Sequence, residues 1–465
     1  MEPNLIYIFA DQWRAEAAGF MNADQVSTPN MDRFASQGAC FVNAYSTFPL
    51  CSPHRASLLT GKYPFCCGVW TNCKIGLEEI VMLRPQEICI SDVLKEHGYH
   101  TGYIGKWHLD APEQNFVREP VSGARDWDAY TPPGERRHGF DYWLSYGTYD
   151  VHLDPHYWSD SPEWMRPGKW SVEFETDKAL EYLEGREEQG QPFALFVSYN
   201  PPHLPYEMVP DRYYDQVKDL EIKWRDNVPE AMRTEEMAVT TRQYFAAVQG
   251  IDHEFGRILS FLKDHGLEEN TVVVLSADHG DMMGSQGLMG KNVWYHEALH
   301  IPLVIRQKGR ICPSRQEGVF ASPDHMPTLL DLLGLPVPET CQGRSHADGI
   351  LYGAGGQPQD MFICGYPGGA AGVAKFQKRG FTHKAYGWRG IKTPRYTFIV
   401  DNTCEPGGTQ TQYLYDHDED PYELSPRIID GECREPLILE FRKKLRHYLD
   451  LQGDPFLFDE SGEIR

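Results

Sequence analysis

The run Cys51-Ser52-Pro53-His54-Arg55-Ala56-Ser57-Leu58-Leu59-Thr60-Gly61 places a thiol, a proline and an arginine within about one helical turn. Pro53 can start a helix, and Gly61 follows the apolar pair Leu58 and Leu59, where a C-cap is expected. Cys51 is therefore expected at a helix N-terminus, where backbone N–H groups and the helix dipole favour anions. Arg55 adds a planar cation suited to a tetrahedral oxyanion. For a Cys and an Arg alone, a buried cysteine beside a helix is the ordinary outcome, so the surrounding pattern has to decide.

Four predicted strands each end in polar or charged residues: Asp11-Gln12, Lys106 with His108, His203, and Asp278-His279. In open α/β sheets, ligands bind beyond the carboxyl ends of the strands. The carboxylates of Asp11 and Asp278 and the amide oxygen of Gln12 make a hard, oxygen-rich site for a divalent cation. His279 adds a nitrogen that opens the site to a transition metal. Each piece alone has a plainer reading. Asp278 could cap a helix, His108 and His203 could be core histidines, and Lys106 and Lys291 could be solvated surface residues.

The elements that must position these groups follow from periodicity. Residues 4–10, 99–104, 193–199, 271–277 and 301–305 read as short buried strands, and Cys40 to Tyr45 as a strand leading into Cys51. Helices are expected over 28–38, 88–97, 171–187, 235–264 and 326–333. Residues 110–170, rich in Trp, Tyr, Pro, Asp and His, read as an ordered insertion near the site. Residues 350–360 are the best candidate boundary. Beyond them, 387–391, 396–400 and 413–416 read as antiparallel strands, and 437–448 as a closing helix. The expected fold is α/β: a large, mostly parallel sheet flanked by helices over 1–355, with a small α+β subdomain over 356–465.

Composition narrows the partners. The 465 residues carry a net charge of −23, which argues against nucleic acid and leaves any anion site to local groups. The 11 cysteines show no paired-ligand spacing, so Cys66, Cys67 and Cys73 read as structural or reduced. No apolar run reaches the length of a membrane span. Met1-Glu2-Pro3 runs straight into a strand, so the expectation is a cytoplasmic protein, or a secreted or periplasmic one whose leader was removed.

The Cys51–Gly61 run resembles the signature of type I, formylglycine-dependent sulfatases of the alkaline phosphatase superfamily: Cys-x-Pro-x-Arg, then Leu-Thr-Gly. Here His54 takes a variable position where that family often has Ser. Further matching pieces occur in the family's order: Asp11-Gln12, Gly-Lys-Trp-His-Leu at 105–109, Pro-Pro-His at 201–203, Asp-His-Gly at 278–280 and Gly-Lys at 290–291. Later come Pro327-Thr328-Leu329-Leu330-Asp331 and Leu414-Tyr415-Asp416.

The resemblance implies an alkaline-phosphatase-like fold and a set of roles. Cys51 would become formylglycine through a maturation enzyme, its hydrate serving as metal ligand and nucleophile. Asp11, Gln12, Asp278 and His279 would complete the shell of one divalent metal, calcium foremost, with manganese or magnesium as alternatives. Arg55 would stabilise the hydrate, and Lys106 and Lys291 would contact sulfate oxygens. His203 would protonate the leaving alcohol, and His108 would take the proton that lets the sulfated hydrate collapse. The implied substrate is a small sulfate ester, in particular a sulfated saccharide. Tyr142, Trp143, Tyr146, Tyr149, Tyr157 and Trp158 would then either face sugar rings or pack beneath the insertion. Many sulfatases have Asp in place of Gln12 and Asn in place of His279. The Asp11-Gln12-Trp13-Arg14 run also resembles phosphonate monoester hydrolases, which makes phosphonate monoester or phosphodiester hydrolysis the alternative activity.

Overall fold

The computed structural model describes residues 2–77, 79–186, 190–353 and 358–458. Its strands, in chain order, are β1 (Asn4–Asp11), β2 (Ala39–Phe41), β3 (Ala44–Tyr45), β4 (His100–Lys106), β5 (Tyr142–Tyr146), β6 (Phe193–Pro202), β7 (Thr271–Ala277), β8 (Leu303–Arg306) and β9 (Ser314–Gln316). All but β3 form one sheet in the order β5-β4-β6-β1-β7-β8-β2-β9. Only β8 runs against the rest. β1, β6 and β7 are buried along their whole length, as expected of central parallel strands covered by helices on both faces. Because β4, β6, β1 and β7 are parallel neighbours, their carboxyl ends form one edge.

The helix Glu235–Asp264 covers one face with Tyr244, Val248, Ile251, Phe255 and Ile258. It starts where the Thr234 side chain accepts a hydrogen bond from Met237 N at 3.2 Å, a standard N-cap. The helix Cys51–Thr60 ends at Gly61, whose φ of 64° satisfies the expected left-handed cap. A second sheet, β11 (Met361–Gly365) to β15 (Arg427–Ile429), is antiparallel throughout, with β12 (Trp388–Lys392), β13 (Tyr396–Asp401) and β14 (Thr411–Asp416) between. The helix Pro436–Gln452 packs on it, stacking Phe441 on Phe398 with ring centroids 5.6 Å apart. β10 (Phe320–Ala321) pairs with β3. Among the described residues, no helix is long and apolar enough to cross a membrane.

Several boundaries differ from expectation. Cys40 to Tyr45 is two strands in different sheets, because the chain breaks at Val42-Asn43 to leave β2 for β3. The expected 88–97 helix spans Ile90–Glu96, with Asp92 accepting a hydrogen bond from Cys89 N. The 28–38 helix spans Pro29–Ala35, and the 171–187 helix Ser171–Glu184. Within the expected insertion, β5 is an edge strand of the main sheet. Residue 187 and residues 354–357, part of the expected boundary, lie outside the described residues.

Candidate active site

Asp11 closes β1. A register shift after Ala10 moves its partner on β6 along to Pro202, and Gln12 takes a φ of 64°. Tyr244 braces this turn: its hydroxyl donates to Gln12 O and accepts from Arg14 N, both at 3.0 Å. Cys51 opens its helix facing that turn. Its Sγ lies 3.5 Å from Asp11 Oδ1, 3.4 Å from His279 Nε2 and 3.1 Å from Lys291 Nζ. Single ligand atoms of Asp11, Cys51, Asp278 and His279 all fall within 4.8 Å of one another, and all four residues are buried. His279 donates from Nδ1 to Gly280 O at 3.0 Å, which turns the Nε2 lone pair toward the cluster. Gly280 is needed here, since a Cβ would collide with Glu297 O.

Three cations neutralise these groups. Arg55 donates from Nε to Asp278 Oδ2 at 3.0 Å and from Nη2 to Asp11 Oδ2 at 3.1 Å. Its Nη1 donates to Lys106 O and Ser198 Oγ, both at 2.7 Å. The Arg55 donors are thus directed at the two carboxylates rather than at Cys51 Sγ. Lys106, fully buried, reaches Asp11 Oδ2 at 2.8 Å and Asn200 Oδ1 at 3.0 Å. Lys291 Nζ donates to Gln12 Oε1 at 2.8 Å.

Burial, followed by repulsion from Asp11, pushes the Asp278 carboxyl up to about 6. Burial also opposes ionisation of Asp11, but Lys106 and Lys291 outweigh it and hold that carboxyl well below the usual range. At Cys51, burial and Asp11 oppose the thiolate, yet Lys291, Lys106 and His279 bring the thiol well below its ordinary value. At Cys67, by contrast, burial dominates and the thiol rises to about 12. Two buried carboxylates that resist joint ionisation, with an imidazole nitrogen turned toward them, fit a divalent cation.

The histidines divide by their partners. His108 Nε2 lies 3.2 Å from Cys73 O, so that nitrogen carries the hydrogen, and the buried Nδ1 has no hydrogen-bond partner. Burial lowers the His108 pKa, keeping the ring neutral. His203 Nδ1 lies 2.7 Å from Leu204 O and 3.4 Å from Asp150 Oδ1. Asp150 also accepts from Asn200 Nδ2 at 3.1 Å, joining His203 to the residue that holds Lys106. His54 is outside the cluster: its Nδ1 meets Ser46 Oγ at 2.9 Å and Ser322 Oγ at 3.0 Å, and burial holds it neutral.

Every expected site residue therefore comes to the one sheet edge. Sequence reasoning did not single out Asp281, Tyr206, Asn200 or Asp150. Gln12 Nε2 donates to Asp281 Oδ2 at 2.5 Å and to Tyr206 Oη at 3.2 Å, which aims its carbonyl oxygen at Lys291. Asp281 follows the Asp278-His279-Gly280 run directly, and that adjacency was its only signal. Of the two readings of the insertion's aromatics, packing holds for four: Trp143, Tyr146, Tyr157 and Trp158 are buried, while Tyr142 and Tyr149 are half-buried.

Comparison with known proteins gives this arrangement a family. The sulfatase family profile matches residues 3–335, and the C-terminal profile of N-sulphoglucosamine sulphohydrolase matches residues 284–450. An endo-4-O-sulfatase of Bacteroides thetaiotaomicron is 38% identical over 461 residues, spanning 92% of this chain and 88% of its own. An ulvan-active sulfatase of Formosa agariphila is 33% identical over 466 residues, spanning 98% and 82%. A solved structure from work on glycosaminoglycan metabolism by Bacteroides thetaiotaomicron superposes with a TM-score of 0.88 at 35% identity, covering 98% and 97% of the two chains. A phosphonate monoester hydrolase of Agrobacterium radiobacter shares the fold, with a TM-score of 0.73 at 22% identity and coverage of 97% and 96%. The chain belongs to the sulfatase family of the alkaline phosphatase superfamily and is a sulfuric ester hydrolase.

Proposed function

We propose that the protein hydrolyses the sulfate ester of a sulfated carbohydrate, using a formylglycine made from Cys51 by a maturation enzyme. The observation that carries this is the position of Cys51: a helix-start cysteine facing two carboxylates, an imidazole and a lysine amine within 3.1 to 3.5 Å of the sulfur or of each other. In this structure the thiol stands where the oxygens of the aldehyde hydrate would lie. That hydrate supplies the nucleophile. Asp11, Gln12, Asp278 and His279 would hold a divalent cation, calcium foremost for so oxygen-rich a shell, which offsets charge on the sulfate oxygens.

The chain's own residues do the rest. Lys106 and Lys291 flank the nucleophile and bind the transferring sulfate oxygens, a preorganised cationic cradle in a buried site. Arg55 locks both carboxylates in place. His108, with hydrogen fixed on Nε2, takes a proton at Nδ1 when the aldehyde is regenerated. His203, held through Nδ1 by Leu204 O and Asp150, gives a proton from Nε2 to the leaving oxygen.

A cavity of about 370 Å³ beside His203 supports a saccharide. It shares Asp150 with the catalytic cluster and is lined by Trp127 and Trp164, which are 41% and 42% exposed. Exposed indoles offer flat faces to sugar rings, and carboxylates accept bonds from hydroxyls. The names of the two curated relatives, an endo-4-O-sulfatase and an ulvan-active sulfatase, point the same way. Phosphonate monoester or phosphodiester hydrolysis is the second reading, favoured by Gln12 and His279. The test is the mass of the Cys51 peptide after co-expression with a formylglycine-generating enzyme, followed by turnover of sulfated sugars against phosphonate esters. Aldehyde formation with faster desulfation is expected. An unmodified thiol, or faster phosphonate cleavage, overturns the reading.

A further inference from the structure

We propose that Glu16, His296 and His300 form a second metal site, distinct from the Asp11 cluster and suited to zinc. The run His296-Glu297-Ala298-Leu299-His300 has the two-histidine spacing by which one helical turn presents both rings to a shared ion. The turn His296–Leu299 is helical, and the two ring centroids lie 4.4 Å apart. Glu16, five residues beyond Asp11, supplies the third donor. His300 Nδ1 lies 2.9 Å and His296 Nε2 3.2 Å from the same oxygen, Glu16 Oε1.

The contacts of His300 call for a cation beside Glu16. His300 Nε2 faces Val42 O at 3.1 Å and must carry its hydrogen there. In the neutral ring, Nδ1 then points a lone pair at a carboxylate oxygen. A proton or a metal ion resolves that clash. Two features favour the metal. A second imidazole converges on the same oxygen, and the buried Glu16 Oε2 has no hydrogen-bond partner. Two histidines and a glutamate are a donor set that zinc uses, and tetrahedral bonds of ~2.0–2.1 Å separate donors by about 3.3 Å, close to the spacing here. The Val42 carbonyl is the outer partner that orients a ligating histidine. Nitrogen donors disfavour calcium, so the two clusters would sort different ions.

Glu297 is not poised as a base in this site. Its carboxylate accepts from Asn227 Nδ2 at 2.6 Å and Arg225 Nε at 3.2 Å, which makes the site structural rather than hydrolytic. Lys392 lies beyond His296 but is committed to Thr397 and His417. The His296 side chain is 26% exposed, which gives the ion a route in. A metal here would tie the turn after β1 to the segment that follows Lys291, where Ala15 N already donates to His300 O at 3.0 Å.

The test uses the full-length chain stripped of metal, with Asp278→Asn to disable the Asp11 cluster, then dialysed against zinc with calcium in excess. One equivalent of zinc is expected to remain, and adding His300→Ala should remove it. X-ray absorption should report a nitrogen and oxygen shell with two imidazoles and no sulfur. If His300→Ala does not fold, Glu16→Gln, nearly isosteric, should abolish the rise in melting temperature that zinc gives the Asp278→Asn chain. No retained zinc, retention unchanged by His300→Ala, or a sulfur ligand overturns the proposal. None of these readouts depends on sulfate ester turnover.

Discussion

The strand-end cluster and the rim at 110–170 handle charge and aromatic surface in opposite ways. At the strand ends, Asp11, Asp278, Arg55 and Lys106 are all at most 2% exposed and hydrogen-bond to one another. On the rim, Asp150 is 41% exposed, and the rings are divided between the buried Trp158 and the half-exposed Trp164. Groups in a buried ionic network depend on each other, because removing one leaves its partner charged without water. Side chains on a solvated rim act more nearly singly. Changes in the cluster should therefore be large and coupled, and changes on the rim small and separable.

Cys51→Ala is the most severe break. It removes the group at the helix start that faces the strand-end cluster, and turnover of any sulfate ester should fall by roughly a thousandfold or more. The melting temperature should change little by comparison. Retained turnover would show that the cluster acts without Cys51. Lys106→Met comes next. It keeps the bulk but leaves Asp11 Oδ2 without its 2.8 Å partner. Denaturant unfolding should show a loss of about 3–5 kcal/mol, and calcium should restore part of it.

Gln12→Glu sharpens the point about coupling. It replaces an amide that donates to Asp281 Oδ2 with a second carboxylate. A loss of about 1–3 kcal/mol is expected, the cost of an unmet buried partner. Asp281→Asn in the same chain should recover most of that loss. A cycle of the four proteins should then show an interaction energy well outside the additive range.

How much of this was legible depended on sequence distance. The Cys51 helix could be read because Pro53 and Gly61 mark its ends locally. The strand ends could be read because an apolar run such as Leu5 to Ala10 stops abruptly at a charge. β5 could not: Tyr142-Trp143-Leu144-Ser145-Tyr146 is covered on both faces and shows no alternation. The break at Val42-Asn43 depends on which sheets claim its two sides. Tyr206 and Asp281 are 75 residues apart and become one support for Gln12 only after β6 and β7 are placed on either side of β1. The division of the rim aromatics into buried and exposed likewise has no local cue.

His152 carries the comparison into pH. It lies in the rim segment but is buried beneath it, donating from Nε2 to His203 O at 2.8 Å. Burial lowers its pKa from 6.5 to about 4. The unfolded chain takes up this proton near pH 6.5 and the folded chain only near pH 4. Stability is therefore complete above the first value and falls as the pH drops toward the second, by of order 3 kcal/mol for this group. His152→Gln should flatten the stability profile over that window in denaturant titrations. An unchanged slope would place the acid sensitivity elsewhere, for example at His325, where burial lowers the pKa to about 3.

Trp164→Ala should have the smallest effect, and it tests the rim directly. Trp164 is 42% exposed, stacks near Trp158 and lines the cavity that reaches Asp150. Losing one sugar-stacking face is worth about 1 kcal/mol, so KM for a sulfated oligosaccharide should rise by roughly fivefold to tenfold, with kcat nearly constant. A small aryl sulfate, too short to reach the cavity, should show a much smaller rise. If both substrates lose kcat equally, Trp164 supports the cluster through packing, and the rim is coupled to the strand ends after all. If neither changes, the saccharide leaves the site by another side, and the exposed indoles serve something other than this substrate.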